Sequence, residues 1–221
     1  MSIVQNGILY EKNIGIDHYK VVGGDATNGK IIIPEKFNGY PVVGIDIDAF
    51  KGNDSVVEVH IPDSLMFIRE SAFHSCKNLK HIVVYLTMRP SKKIEIGRFA
   101  FAECSQLTSV SSMASLILYE YTFYNCKNLT RLNATVSYCS NSSFKNCRLL
   151  SQIVFDDDAH WVHSSFCDCD GLKTIIFNGG ISKNTLKSRS SMKALYDKNI
   201  VCHADSPCLD LIYDGFKIKI I

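Results

Sequence analysis

The sequence predicts a repeat solenoid, mainly β, built from about six units of roughly 22 residues. Three observations predict it. A small residue followed by Phe recurs at Ala49-Phe50, Ala72-Phe73, Ala100-Phe101, Thr122-Phe123, Ser143-Phe144 and Ser165-Phe166, with the Phe positions 23, 28, 22, 21 and 22 residues apart. Cysteines keep the same step: Cys76, Cys104, Cys126, Cys147 and Cys169 each stand three residues after a Phe, and Asn53 takes that slot in the first unit. Apolar residues recur nine and eleven places after each Phe between polar neighbours, the alternation of a short strand with one face inward.

The chain opens with a hairpin expected between Tyr10 and Val22, so residues 1–29 are assigned to an N-terminal cap. Gly23-Gly24 and Gly179-Gly180 read as turns. Residues 30–180 carry the repeats. Six places after each Phe comes Val56, Leu79, Leu107, Leu129, Leu150 or Leu172, and nine after comes Val59, Ile82, Val110, Leu132, Ile153 or Ile175. Two places further on stand Ile61, Val84, Ser112, Ala134, Phe155 and Phe177. A second apolar slot lies five before the Phe, at Ile45, Ile68, Ile96, Leu118, Cys139 and Trp161, so one turn of the coil has two extended edges and a tight corner at the Phe. No unit covers its own apolar side, so units stack and each buries its neighbour.

The period also decides what the cysteines do. Equivalent side chains on stacked strands lie about 4.8 Å apart, wider than the roughly 3.8 Å between Cβ atoms of a disulfide. These thiols are therefore expected to be reduced and buried, each packing as a small hydrophobe that donates weakly to a backbone carbonyl at the corner, as Asn53 does in its own unit.

The 28-residue step places about six extra residues near Arg89, Pro90, Ser91, Lys92 and Lys93, expected as a surface loop. From Phe101 onward the Ile-Pro that closes the strand at Ile61-Pro62 is lost. Residues 181–221 are read as an irregular last turn, with Ile200, Val201 and Cys202 as its strand, and a C-terminal cap hairpin around Asp214-Gly215. Capping hairpins cover the end rungs that an array leaves bare.

The run VVEVHIPDSLMFIRESAFHSCKNLKHIVV, with its Ala-Phe-x-x-Cys-x-x-Leu-x-x-Ile pattern, resembles the BspA-like leucine-rich repeats, and the resemblance covers residues 30 to 178. The preceding IIIPEKFNGYPVVGIDIDAF is similar to the segment that leads into such arrays. The resemblance implies a right-handed leucine-rich-repeat coil, a role in protein binding and adhesion, and a place at the cell surface or outside the cell, with a host protein among the partners. Read as it stands, the opening MSIVQNGILYEKNIGIDHYKVVGG lacks the basic start and apolar stretch of a signal peptide, which favours a cytoplasmic home as the alternative.

With 46% hydrophobic and 21% charged residues the chain has the composition of a folded globular protein. Its net charge of +2 gives no general pull toward nucleic acid or an anionic membrane, and no segment approaches the length of an apolar span. Strand slots eight, ten and twelve after each Phe face outward on a concave sheet. They supply the expected protein- or peptide-binding residues: Glu58, His60, His81, Val83, Tyr85, Ser109, Ser111, Met113, Arg131, Asn133, Gln152 and Asp156. No catalytic residue, metal site or cofactor is expected. Asp156, Asp157, Asp158, His160, His163, Cys167, Asp168 and Asp170 carry ligand chemistry but match neither a calcium loop nor a zinc spacing, and the acidic run reads as a solvated turn. The cations Lys183, Lys187, Arg189 and Lys193 read as a solvated face.

Overall fold

A computed structural model describes residues 2–12, 15–85, 92–178, 199–202 and 218–220. Strands β1 (Ser2–Gln5), β2 (Ile8–Glu11) and β3 (Tyr19–Gly24) form an antiparallel meander with Tyr10 opposite Val21. Gly23-Gly24 closes β3 and is not a turn. Gly24 runs so close to the neighbouring strand that a Cβ on it would lie 2.3 Å from the Gly7 carbonyl oxygen, so only glycine fits.

From β3 the coil begins. Strand β4 (Lys30–Ile32) starts one sheet, β5 (Lys36–Phe37) folds back on β6 (Tyr40–Ile45), and β6 lies parallel to β3 in the other sheet. Each later turn gives one strand to each sheet: β7 (Glu58–Ile61) and β8 (Phe67–Ile68), β9 (His81–Val84) and β10 (Lys93–Ile96), β11 (Ser109–Ser112) and β12 (Ser115–Leu118), β13 (Arg131–Asn133) and β14 (Thr135–Cys139). Then come β15 (Gln152–Trp161), β16 (Thr174–Phe177), β17 (Asn199–Cys202) and β18 (Ile218–Ile220). The first sheet runs β4-β7-β9-β11-β13 and the second β1-β2-β3-β6-β8-β10-β12-β14-β15-β16-β17-β18. Among the described residues no helix is long and apolar enough to cross a membrane.

The slots read from the sequence fill the space between the sheets. Ile45, Ile68, Ile96, Leu118, Cys139 and Trp161 stack rung on rung in the second sheet, all buried. Val59, Ile82, Val110 and Leu132 do the same in the first. At the corner the rings of Phe50, Phe73, Phe101, Phe123, Phe144 and Phe166 form one offset stack with centroids 4.9, 5.1, 5.5, 5.4 and 6.0 Å apart. Parallel offset rings at that spacing gain stacking energy beyond their burial.

The corner backbone is itself a ladder. The amides of Phe50, Phe73, Phe101, Phe123 and Phe144 donate to Ala72, Ala100, Thr122, Ser143 and Ser165 of the next rung. Its tightness demands left-handed residues two before the first five Phe (Asp48, Ser71, Phe99, Tyr121, Ser142) and two after all six (Gly52, Ser75, Glu103, Asn125, Asn146, Asp168). Where later units replace Ala before the Phe, hydroxyls take up carbonyls freed at the bend: Thr122 Oγ1 donates to Tyr119, Ser143 Oγ to Ser140, and Ser165 Oγ to Ser140.

Loss of the closing proline reshapes the last turns. Strand β15 is ten residues long and continues through residue 156, the place equivalent to Pro62, which ends β7. Residues 156–158 therefore lie within a strand, not in the solvated acidic turn that the composition suggested. The strand absorbs the excess by bulging: Val136 and Tyr138 of β14 pair with Phe155 and His160, leaving Ser137 opposite residues 156–159. The register moves too, so Val136, and not Ala134, lies between Leu116 and Phe155. No ladder joins β13 to β15 among the described residues, so the first sheet parts there while the second continues.

Two other expectations change. Lys93 begins β10 instead of ending a loop, and Lys92 is folded against Asp63 at 3.3 Å with both side chains nearly buried. Arg89, Pro90 and Ser91 lie outside the described residues, as do Gly179-Gly180, the cations Lys183, Lys187, Arg189 and Lys193, and the turn at Asp214-Gly215. Beyond it, β18 runs parallel to β17.

Candidate functional site

The outer face of the first sheet gathers the expected contact residues into rows because parallel pairing brings equal slots side by side. One row reads Lys30, Glu58, His81, Ser109, Arg131, and the next reads Ile32, His60, Val83, Ser111, Asn133. Tyr85 and Met113 follow β9 and β11 and are 54% and 75% exposed. His81 Nδ1 lies 2.9 Å from Ser109 Oγ, so even this face is tied across rungs.

Its N-terminal end is a polar chain. Lys30 Nζ is 3.0 Å from Glu58 Oε2, and that hydrogen bond, with further help from the charges of His60 and Lys30, holds the Glu58 carboxyl below the usual carboxylate range against the cost of its burial. Tyr85 Oη lies 2.6 Å from His60 Nδ1, and the two rings stack with centroids 5.3 Å apart. His60 Nε2 is 2.7 Å from Glu58 Oε1, and both side chains are largely enclosed. Toward the centre, His81, Val83, Ser109 and Ser111 separate the charges of Glu58 and Arg131.

Gln152 and Asp156 do not join these rows, because β15 is not laddered to β13. Asp156 is half-buried and faces the second sheet, where its Oδ2 accepts from Ser137 Oγ at 3.1 Å, and Ser137 in turn meets Ser115 Oγ at 2.7 Å. Among the described residues no three His, Cys, Asp or Glu side chains stand together as a metal would require.

The cysteine ladder has packing chemistry. Sγ of Cys76, Cys104, Cys126, Cys147 and Cys169 donates to the carbonyl of Phe50, Phe73, Phe101, Phe123 and Phe144 at 3.0, 3.2, 3.1, 3.1 and 2.9 Å. Asn53 Nδ2 makes the equivalent bond to Gly24 at 3.1 Å. Burial pushes the Cys76 and Cys139 thiols up to about 12 and those of Cys104, Cys126 and Cys147 well above their ordinary value. A thiol held protonated is a poor nucleophile and a poor metal ligand.

Sequence reasoning missed a groove of about 510 Å³ on the other sheet. Gly97 and Glu95 form its floor, Phe67 on one side and Ile117 and Tyr119 on the other form its walls, and Arg69 and Arg98 stand at its rim. The Arg69 guanidinium lies over the Phe67 ring at 4.9 Å, and Tyr119 Oη donates to Glu95 Oε2 at 3.4 Å. Gly97 is the one readable signal, since a Cβ there would lie 2.8 Å from the Arg69 backbone.

The sequence profile described as "BspA type leucine rich repeat region" matches residues 30–133 and 94–194, with six copies. Among solved structures, the leucine-rich repeat protein of T. pallidum (TpLRR) superposes with a TM-score of 0.58 at 16% identity, over 99% of this chain and 98% of that one, and shares the fold. A leucine-rich cell surface protein from Faecalibacterium prausnitzii aligns at 14% identity with a TM-score of 0.42, over 93% and 89% of the two chains. The pneumococcal vaccine antigen PcpA aligns at 12% identity with a TM-score of 0.35, over 100% and 98%. No curated protein matches the sequence.

Proposed function

The chain belongs to the BspA-type leucine-rich-repeat family, and from that premise we propose that it is a non-catalytic module that binds a protein or peptide through the outward face of β7, β9 and β11. The observation that supports this is the pair of exposed anchors, Tyr85 and Met113, beside a stretch of sheet that carries no charge between Glu58 and Arg131. Large side chains next to small ones, ringed by polar groups, are what a partner buries at the centre of an interface, and Tyr leads among residues that dominate binding energy. Glu58, His60, His81, Val83, Ser109, Ser111, Arg131 and Asn133 frame the contact, whereas Gln152 and Asp156, on the strand of the other sheet, lie outside it. The BspA-type resemblance supports attachment at a cell surface, with a host protein as partner, as part of this proposal. The test is a pull-down combined with a cell-attachment assay, comparing wild type with His81→Ala/Tyr85→Ala. Recovery of a protein that the double variant fails to hold supports the reading. No macromolecule recovered, and attachment equal in both chains, counts against it.

A second reading, an intracellular scaffold using the same face, is favoured by the thiols: the seven cysteines from Cys76 to Cys169 are free. Fractionation of the native host separates the two. Recovery in the cytoplasmic fraction supports the scaffold, and recovery with the envelope or medium supports adhesion.

A further inference from the structure

We infer that the cavity at the N-terminal end of the coil binds an acidic oligosaccharide. Three tight turns converge there: Asn6-Gly7 between β1 and β2, Asn28-Gly29 closing the bridge from Thr27 to Lys30, and Asn38-Gly39 between β5 and β6. Each has the left-handed pair of a type I′ turn, with φ of 51° and 78°, 51° and 78°, and 48° and 80°. That geometry favours Asn-Gly on backbone grounds alone, so the asparagines need no ligand to explain them singly. Their convergence is another matter. All three open on one cavity of about 1140 Å³, joined by Gln5, Lys30 and Lys36, and no carboxylate lines it.

The chemistry of the lining selects the ligand. The side-chain amides of Gln5, Asn6, Asn28 and Asn38 have no hydrogen-bond partner among the described residues. An amide presents two donors and an acceptor, the complement of sugar hydroxyls that both donate and accept. Lys30 shares its charge with Glu58 at 3.0 Å, whereas Lys36 has no carboxylate partner among the described residues, so the cavity carries an unspent positive charge. Held on turns of fixed geometry, these groups are preorganised and lose little freedom on binding.

A peptide is a poorer fit. An extended chain adds to a free strand edge, but in β4 Lys30 already exchanges backbone hydrogen bonds with Thr27, and Pro34 offers no N–H. Of the apolar lining groups, Ile8, Tyr10 and Phe37 are buried, and Ile32, 60% exposed, stands alone rather than as a socket for a peptide side chain.

The full chain is titrated by calorimetry with trigalacturonate, a hyaluronan tetrasaccharide and sialyllactose, and with maltotriose and triglutamate as comparisons. Side-chain amide resonances are followed by NMR. At least one acidic sugar is expected to bind at least tenfold tighter than maltotriose and to shift the amide signals of Asn28 and Asn38. Lys36→Ala and the double variant Asn28→Gly/Asn38→Gly, which keeps both turns because glycine fits either central position, weaken it at least tenfold with unchanged circular dichroism. No binding of any acidic sugar, binding indifferent to these variants, or triglutamate binding as tightly would each overturn the inference. Tyr85→Ala leaves sugar binding unchanged, so this site and the protein-docking face stand or fall separately.

Discussion

The thiol of Cys126 donates to the carbonyl of Phe101, one rung below it, at 3.1 Å. The same bond recurs at Cys76, Cys104, Cys147 and Cys169, and it makes the thiol part of the corner's backbone accounting. Its first consequence concerns reactivity.

In the native protein at about pH 8, a disulfide reagent is expected to label Cys167 well before Cys104, Cys126 and Cys147, because Cys167 alone among the seven cysteines from Cys76 to Cys169 is not buried. Burial holds the other three protonated. Mass spectrometry of quenched digests reads the order. Labelling of Cys126 at the rate of Cys167 would contradict the buried ladder.

Phe101 stands between Phe73 and Phe123 in the aromatic stack, fully buried. Phe101→Ala should cost roughly 3–5 kcal/mol, since a cavity in mid-array unsupports the rung on either side. Phe166 is less enclosed, with its neighbour 6.0 Å away, and Phe166→Ala should cost less. Urea unfolding of both variants checks the ranking, and equal losses would contradict a stack whose middle carries the load.

Ser75 is held at a φ of 60°, a conformation that Gly52 occupies without strain one rung earlier. Ser75→Gly should raise stability by about 0.5–1 kcal/mol, the relief of left-handed strain less the extra freedom gained by the unfolded chain. Its amide bond to Ala102 is kept. Thermal unfolding measures the change, and a lower midpoint would sink the account of the corner.

Asp46 joins two turns through Lys20, whose ammonium lies 2.5 Å from Oδ2. Burial pushes its carboxyl up, but the Lys20 hydrogen bond, the Ile47 amide and the charges of Lys20 and Arg69 together hold it below its ordinary value. A carboxylate depressed in the folded state contributes stability that is present above its unfolded value of about 3.9 and is lost as pH falls through the folded value. Glu58 acts in the same direction. Asp46→Asn should therefore lose less of its thermal midpoint than wild type between about pH 6 and about pH 3. An identical drop in both chains would remove Asp46 from the acid response.

The regular slots were legible because one side chain fixes them: wherever Phe stood, the residues three, six and nine places on took the expected positions. The left-handed pairs were half legible. Gly52, Asn125, Asn146 and Asp168 are residues that tolerate positive φ, but Phe99 and Tyr121 hide the pattern, since bulky rings rarely sit there and are held by stacking on each other at 4.9 Å. The course of β15 could not be counted from Phe144, because losing a proline removes a stop without saying where the strand will bulge. Val136 rather than Ala134 beneath Phe155 is the result. The outward residues of β7, β9 and β11 followed from alternation, whereas the groove over Gly97 and the meeting of Asn6, Asn28 and Asn38 depend on neighbours distant in the chain.

Docking on the first sheet is tested most directly by the dissociation constant of a captured protein partner for wild type, for Tyr85→Ala/Met113→Ser and for Met66→Ser on the opposite face. The account predicts at least about tenfold weaker binding for the double variant and wild-type affinity for Met66→Ser. Unchanged affinity of the double variant, or loss in Met66→Ser alone, would contradict it and move the interface to the other sheet.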